Sequence, residues 1–175
     1  MKKQYHQSLL QSAKEYCDYL EYITSNNVNQ ADFIDSIHTL LVNLYHQSIS
    51  LIKLDIALTS KKHIDITIDE STINHLRMRL TGILGEFTDY SESFDPIIIE
   101  GDDNYSQGWL VDDLADIYID LYRAVQKVDS SVDSSIQQAM WELRFGLGAH
   151  WGNHLINALR FVHYLQFSHY YKHIA

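Results

Sequence analysis

Two histidines near the end of the chain are separated by one helical turn. His150 and His154 stand four residues apart in the segment AHWGNHLINALRFVH, and that spacing places two side chains on the same face of a helix. A neutral imidazole is a common metal ligand, and it also gains or loses a proton near neutral pH. The pair therefore predicts a metal site, an acid–base site or a buried hydrogen-bond network.

Three aspartates share one face of the preceding predicted helix, WLVDDLADIYIDLY. Asp113, Asp116 and Asp120 are spaced three and four residues apart, so their side chains point in one direction. This face borders the apolar stripe of the same helix, at the boundary between core and solvent. We therefore expect these short carboxylates to reach the histidines on an adjoining helix.

The predicted site combines these two sets of side chains. Its metal ligands are predicted to be two histidines and two carboxylates: His150, His154, Asp113 and Asp116. Three further polar side chains are predicted to contact a cofactor or an anion: Arg144, Asn157 and Arg160. Arg144 is also expected to pair with an aspartate of the preceding helix. No catalytic residue is assigned. The sequence does not identify the cofactor; a divalent metal is the candidate for which these residues provide suitable ligands.

Well-defined catalytic motifs are missing around this site. Zinc proteases with a His pair of this spacing need a glutamate directly after the first histidine, where this chain has Trp151. The Glu-x-x-His pair of di-iron bundles, the P-loop, GxSxG and GxGxxG do not occur either. The acidic stretch EGDDN lacks the alternating ligands and the terminal glutamate of a calcium loop. The motifs therefore do not identify the chemistry of the cluster formed by the two histidines and the three aspartates, called the His/Asp cluster below.

Three interpretations of the His/Asp cluster stay open. The cluster could be a structural hydrogen-bond network that fixes how the helices pack, since buried polar groups usually satisfy one another. It could hold a metal ion, or it could act as general acid and base in a small-molecule pocket. We favour a binding or interaction module with a structural His/Asp cluster. The alternative is a metal-dependent enzyme, hydrolytic or redox, whose substrate the sequence does not identify.

The elements that must position these residues are helices. Apolar residues recur every three or four positions through most of the chain, and seven glycines and one proline leave few breaks. The pattern predicts an all-α fold, a single-domain antiparallel bundle of four to six helices over residues 1–175. Residues 91–108, between the third and fourth helices, are predicted to form a long loop. The second helix is expected to begin after the N-cap Asn29 and to reach about Ala57, and the third to begin at Asp69 or Ser71.

The last helical segment contains an apolar seam that the two histidines continue. Taken as one helix, its seam alternates spacings of four and three from Ile136 to His150, His154 and Phe161. Such a seam faces the core, so both histidines are predicted to point inward. The glycines at 146, 148 and 152 each disfavour a helix by about 1 kcal/mol. A break near Phe145 would nevertheless leave the phase of the second half unchanged.

The charge balance excludes several classes of partner. The 175 residues carry a net charge of −10, which argues against nucleic acid because phosphate backbones attract clustered Lys and Arg. The 13 basic residues are spread thinly, so binding to an anionic membrane surface is not expected. Twelve tyrosines are many for this length, and some of them could serve a protein partner or a homodimer contact. No small-molecule partner is identified.

A cytoplasmic location is expected from the absence of targeting signals. The N-terminus MKKQYHQSLLQSAKEYC has no apolar region of the kind that signal peptides carry, and no apolar run is long enough to cross a bilayer. Cys17 is the single cysteine, so no internal disulfide can form. A helical position predicts that its thiol is buried and inert.

Three motifs together resemble a known family. They are FTDYSESFDP from Phe87, VDDLADIYIDLY from Val111, and WELRFGLGAHWGNHLINALRFVH from Trp141. This combination of an acidic DDLADI-type helix, a Trp/Arg segment and an HWG-x-H stretch is similar to the uncharacterised bacterial family catalogued as domain of unknown function 5063. The resemblance covers most of residues 30–165 and implies a compact all-helical bacterial protein. It implies no activity.

Overall fold

The protein is an all-α bundle, as predicted, within the residues that the computed structural model describes: 2–52, 64–93, 105–129 and 133–172. These residues form six helices, named α1 (Lys2–Ser25), α2 (Gln30–Ile52), α3 (Glu70–Leu84), α4 (Leu110–Asp129), α5 (Asp133–Ala149) and α6 (Trp151–Lys172). Two short strands, β1 (Asp89–Ser93) and β2 (Tyr105–Trp109), lie between α3 and α4. In this part of the chain no helix combines the length and the apolar character that crossing a membrane requires.

Side-chain caps fix where α2 and α3 begin. The side-chain oxygen of Asn29 accepts a hydrogen bond from the backbone N–H of Asp32 at 2.9 Å, which confirms the predicted N-cap of α2. Asp69 is the N-cap of α3, and its carboxylate accepts a hydrogen bond from the backbone N–H of Ser71. The predicted end of the second helix, residues 53–57, lies outside the described residues.

The aspartates lie on α4, a helix that packs against four others. It contacts α1, α3, α5 and α6. The buried hydroxyl of Tyr16 on α1 donates a hydrogen bond to the backbone carbonyl of Leu114 at 2.9 Å. The predicted apolar stripe of α4 is buried along its length: Leu110, Leu114, Ile117, Leu121 and Val125. Because this stripe fixes the rotation of α4, it also fixes the direction in which the bordering aspartates point.

The two ends of the predicted loop, residues 91–93 and 105–108, form β-strands. β1 and β2 pair antiparallel with Tyr90 opposite Gly108, and residues 94–104 lie outside the described residues. A Cβ on Gly108 would lie 2.4 Å from Cζ of Tyr90, so glycine is needed for the phenol ring to cross the hairpin. The ring is buried and packs against Phe161 of α6, with their centroids 5.0 Å apart. The hairpin thus places the ring of Tyr90 between α4 and α6.

The chain turns a tight corner between α5 and α6. α5 ends at Ala149 and α6 begins at Trp151, so His150 stands at the junction. A Cβ on Gly152 would lie 1.9 Å from the backbone oxygen of Leu147. No side chain fits at that distance without moving the backbone, so the corner depends on glycine at this position.

Trp151, and not either histidine, is the first core residue of α6. Its side chain is fully buried, and its indole N–H donates a hydrogen bond to the carbonyl of Leu143 at 3.0 Å. The predicted seam through His150, His154 and Phe161 was wrong, because the corner restarts the helix and changes its phase. The side chains of His150 and His154 are 51% and 28% exposed. The buried face of α6 consists of Trp151, Leu155, Ala158, Val162 and Leu165.

Candidate metal centre

Two histidine–aspartate contacts join α6 to α4. Nδ1 of His154 lies 2.7 Å from Oδ1 of Asp113, and Nδ1 of His150 lies 2.9 Å from Oδ2 of Asp120. The residue numbers rise along one helix as they fall along the other, as expected for antiparallel neighbours. The aspartate face predicted from the spacing on α4 therefore does meet the two histidines, at the edge of the core.

Asp116 completes a group of three ligand side chains. Its Oδ2 lies 3.6 Å from Nε2 of His154. One ligand atom from each of Asp116, His150 and His154 falls in a group whose members all lie within 4.8 Å of one another. The two imidazole rings are 4.9 Å apart and nearly perpendicular. Two imidazole nitrogens and one carboxylate are a ligand set used by zinc and by non-haem iron.

Asp113 lies behind His154 and is not in this group of three. The carboxylate is 5% exposed, and it faces the Nδ1 side of the ring, whereas Asp116 faces Nε2. The hydroxyl of Tyr90 donates a hydrogen bond to the second oxygen of Asp113. Asp113 thus orients the histidine from the protein interior. Of the four predicted metal ligands, the structure brings three together and gives the fourth a supporting position.

The hydrogen bond to Asp113 sets which nitrogen of His154 carries a proton. A carboxylate accepts hydrogen bonds, so Nδ1 is the protonated nitrogen of the neutral ring, and Nε2 presents its lone pair toward Asp116. The same hydrogen bond raises the pKa of His154, against the opposing effect of partial burial. Partial burial raises the pKa of Asp116, an effect that His154, His150 and Arg77 oppose.

Arg77 of α3 contacts the carboxylates from the other side. Its Nε lies 3.1 Å from Oδ1 of Asp112, and its Nη2 lies 3.6 Å from Oδ1 of Asp116. Asp116 therefore lies between a guanidinium and an imidazole. Arg77 was not among the predicted site residues. The available signal was its place directly after Leu76, at the edge of the apolar stripe of α3.

Two of the three residues predicted to contact a cofactor, Arg144 and Arg160, make their contacts away from the group of three. Nη2 of Arg160 donates a hydrogen bond to the backbone oxygen of Ser91 at 3.1 Å. Arg144 lines a separate cleft of about 390 Å³ with Trp141 and Phe145. Its expected ion pair with an aspartate of α4 does not form among the described residues. Asn157 is half-buried on α6.

A polar cleft lies beside the contact between His150 and Asp120. Its volume is about 310 Å³, and Asp120 and His150 form part of its wall. Lys127 and Glu142 also line it and form an ion pair in which the lysine is almost fully buried. Arg123, one turn beyond Asp120 on α4, is the remaining cationic side chain of the lining. No sequence pattern predicts this cleft, because its walls come from α4, α5, the start of α6 and the segment before α3, whose packing against one another no local pattern reveals.

Comparison with known proteins agrees with the helical fold. The crystal structure of protein BF1032 from Bacteroides fragilis superimposes with a TM-score of 0.76 at 23% sequence identity, covering 91% of this chain and 90% of that one. At this identity the likeness shows the fold alone. No curated protein matches the sequence. The family model described as Domain of unknown function (DUF5063) matches residues 2–168. The chain therefore belongs to this family of unknown function, as its motifs predicted.

Proposed function

We propose that this protein binds a divalent transition-metal ion through Asp116, His150 and His154. The observation that carries the proposal is the convergence of one ligand atom from each of these side chains within 4.8 Å. The group joins two helices whose relative position is held by the core. A metal ion there would link α4 to the start of α6.

The distances within the group suit a small metal ion. Ligands about 2.0–2.1 Å from a tetrahedral zinc ion lie about 3.4 Å from one another. The 3.6 Å between Nε2 of His154 and Oδ2 of Asp116 is close to that separation. His150 would have to move by on the order of 1 Å. It stands at the corner between α5 and α6 with half of its side chain exposed, so a rotamer adjustment suffices.

The surrounding hydrogen bonds also favour metal binding. Metal-ligating histidines usually donate their second ring N–H to a carboxylate or carbonyl, which orients the ring and increases its basicity. His154 has Asp113 in that position, and His150 has Asp120 within 2.9 Å. Asp113 is itself anchored by Tyr90. Asp116 is a third carboxylate beside the two histidines: Arg77 contacts its Oδ1, while its Oδ2 faces Nε2 of His154.

Three protein ligands leave room for a fourth. Catalytic zinc sites keep such a position for water, which the metal makes acidic enough to supply hydroxide near neutral pH. The cleft beside His150 exposes this one of the three ligands to solvent and small molecules. Of the two functions raised by the sequence, we therefore favour the metal-dependent enzyme, in its hydrolytic form, over the interaction module.

Metal titration of protein purified without a nickel column tests the proposal. After treatment with a chelator, the wild type is expected to bind one equivalent of Zn²⁺ or Co²⁺. His154→Ala and Asp116→Asn are each expected to weaken Zn²⁺ binding by more than about 100-fold, beyond the 10- to 100-fold typical of outer hydrogen-bond partners. The Co²⁺ form should show the visible absorption of a low-coordinate site.

Controls separate ligand loss from misfolding. His46→Ala removes an exposed histidine of α2 and is expected to leave Zn²⁺ affinity unchanged. Circular dichroism shows whether His154→Ala folds. Asp116→Asn changes a partly exposed side chain and is expected to fold, so it tests the ligand role even if His154→Ala does not fold. Unchanged Zn²⁺ affinity in Asp116→Asn would overturn the proposal and leave the cluster as a structural network.

A further inference from the structure

We propose that the 310 Å³ cleft beside the metal centre binds a small molecule carrying a phosphate group, with Arg123 as its cationic contact. This inference rests on the proposed metal site, because the bound ion would supply the second positive contact. The ligand class would be a phosphate compound, and Arg123, which was not among the predicted site residues, would bind it.

Most charges in the cleft wall are already paired. Glu142 accepts a hydrogen bond from Lys127, and Asp120 lies 2.9 Å from His150. Arg123 forms no hydrogen bond or ion pair with the residues that the structure describes. A guanidinium carries five N–H donors in a fixed plane, so in this cleft it is the group with the most unused donor capacity.

Arg123 lies on the same face of α4 as two aspartates of the cluster. Asp116, Asp120 and Arg123 are spaced four and three residues apart, which places them along one face of the helix. Asp120 and Arg123 both line the cleft, and His150 lines it from the junction before α6. A small ligand in the cleft would therefore share its walls with the guanidinium of Arg123 and with Asp120 and His150.

The geometry favours phosphate over carboxylate as the anionic group. A guanidinium binds two oxygens side by side, and a metal ion takes at least one more. A phosphate monoester has three terminal oxygens and can serve both, whereas a carboxylate has two. The exposed ring of Phe145, at the rim of the same cleft, is available to an apolar part of the molecule.

Asp65 carries a negative charge in the cleft wall and should repel a bound anion. Its removal is a second test, in which phosphate affinity should rise. Asp65 lines the cleft, is exposed, and has no hydrogen bond or ion pair among the described residues. Its negative charge should weaken phosphate binding. Asp65→Asn is therefore expected to tighten the binding that Arg123→Gln weakens.

The experiment titrates inorganic phosphate into Co²⁺-loaded protein by calorimetry and visible absorption. The metal content of each variant is measured first, so that failure of the metal site is seen separately. We expect phosphate to bind the wild type and to change its Co²⁺ spectrum. Arg123→Gln should keep its metal and lose about 10-fold or more in phosphate affinity. Lys14→Gln, which removes the same charge from an exposed site on α1, should stay within about twofold.

The outcomes distinguish the two proposals. If the wild type holds no metal, the proposed function fails and this inference fails with it. If the metal is bound but Arg123→Gln binds phosphate as tightly as the wild type, the metal site stands and the phosphate cleft is wrong. Acetate binding as tight as phosphate would overturn the assignment to phosphate.

Discussion

Nδ1 of His154 lies 2.7 Å from Oδ1 of Asp113, a carboxylate that is 5% exposed. A buried carboxylate that loses a partner costs about 1–3 kcal/mol, because its desolvation is no longer compensated. The contact should therefore be worth measurable stability even without metal, and it links the fold of α4 and α6 to the chemistry of the site.

We expect the metal-free protein to show strong coupling between these two residues. His154→Leu alone should lower the free energy of unfolding by about 1–3 kcal/mol, since it removes the partner of Oδ1 of Asp113 and leaves only the Tyr90 hydrogen bond to Oδ2. Adding Asp113→Asn should recover part of that loss. Urea denaturation of both single variants and the double variant, in the presence of a chelator, gives the coupling energy. Strictly additive effects would show that the contact contributes no pairwise stability.

Tyr90 and Gly108 should act as one unit in holding Asp113. Gly108→Ala places a Cβ where the Tyr90 ring lies, so the ring must move and its hydrogen bond to Asp113 is disturbed. We expect Tyr90→Phe to cost about 1–3 kcal/mol in the wild type, and clearly less in the Gly108→Ala background.

Thermal and urea denaturation of the double-mutant cycle measures this difference. Gly82→Ala on α3 is the matched control, because no atom lies within 4 Å of the added Cβ. Tyr90→Phe should keep its full cost in that background. An equal cost in both backgrounds would mean that Gly108 does not position the tyrosine.

A second histidine pair gives a pH dependence that is independent of the metal site. The rings of His38 on α2 and His163 on α6 are 5.7 Å apart. Partial burial lowers the pKa of His38, with a further contribution from His163, while Gln166 and Asp35 oppose the shift. The folded protein therefore binds this proton less tightly than the unfolded chain.

The stability that this shift contributes is present above the ordinary histidine pKa of about 6.5 and is lost as the pH falls through the lower folded value. We expect the difference in unfolding free energy between the wild type and His38→Gln to shrink as the pH falls from about 7 to 5. Urea denaturation across that range in the presence of a chelator measures it. A difference that stays constant with pH would contradict the prediction.

The helices were predictable because each carries its own apolar stripe. The stripe of α4 fixed the rotation of that helix, and the spacing of Asp113, Asp116 and Asp120 then indicated a shared face that the structure confirms. The hairpin was not predictable in the same way. Its strands DYSES and YSQGW are polar and short, and the fit of Tyr90 over Gly108 appears only when the strands are paired.

The remaining errors arose where distant segments meet. Arg77 reaches Asp112 and Asp116 from a different helix, and Arg123 matters only beside walls formed by α5. The spacing on α4 puts Arg123 on the face of Asp116 and Asp120, but no periodic signal in the sequence shows which residues of another helix either arginine meets. The protein partner or homodimer, suggested by the tyrosine content, and the cytoplasmic location, suggested by the absence of targeting signals, stay predictions.

The histidine seam was wrong for a local reason, the corner between α5 and α6. The numerical spacing continues through the corner to the histidines, but the buried apolar stripe of α6 starts one position later, at Trp151. The corner brings Gly152 against the carbonyl of Leu147. This contact predicts a large effect for a small substitution. Gly152→Ala should lower the free energy of unfolding by about 3 kcal/mol, and it should weaken Zn²⁺ binding because His150 and His154 flank the corner.

Gly82→Ala provides the comparison within the same bundle. It lies inside α3 with open space around the added Cβ, so we expect a gain of about 0.5–1 kcal/mol from helix propensity, without any effect on Zn²⁺ affinity. Chemical denaturation and Zn²⁺ titration of both variants measure the two effects. If Gly152→Ala were as stable as Gly82→Ala, the corner would tolerate a side chain. The position of the two histidines would then need another explanation than the close contact at Leu147.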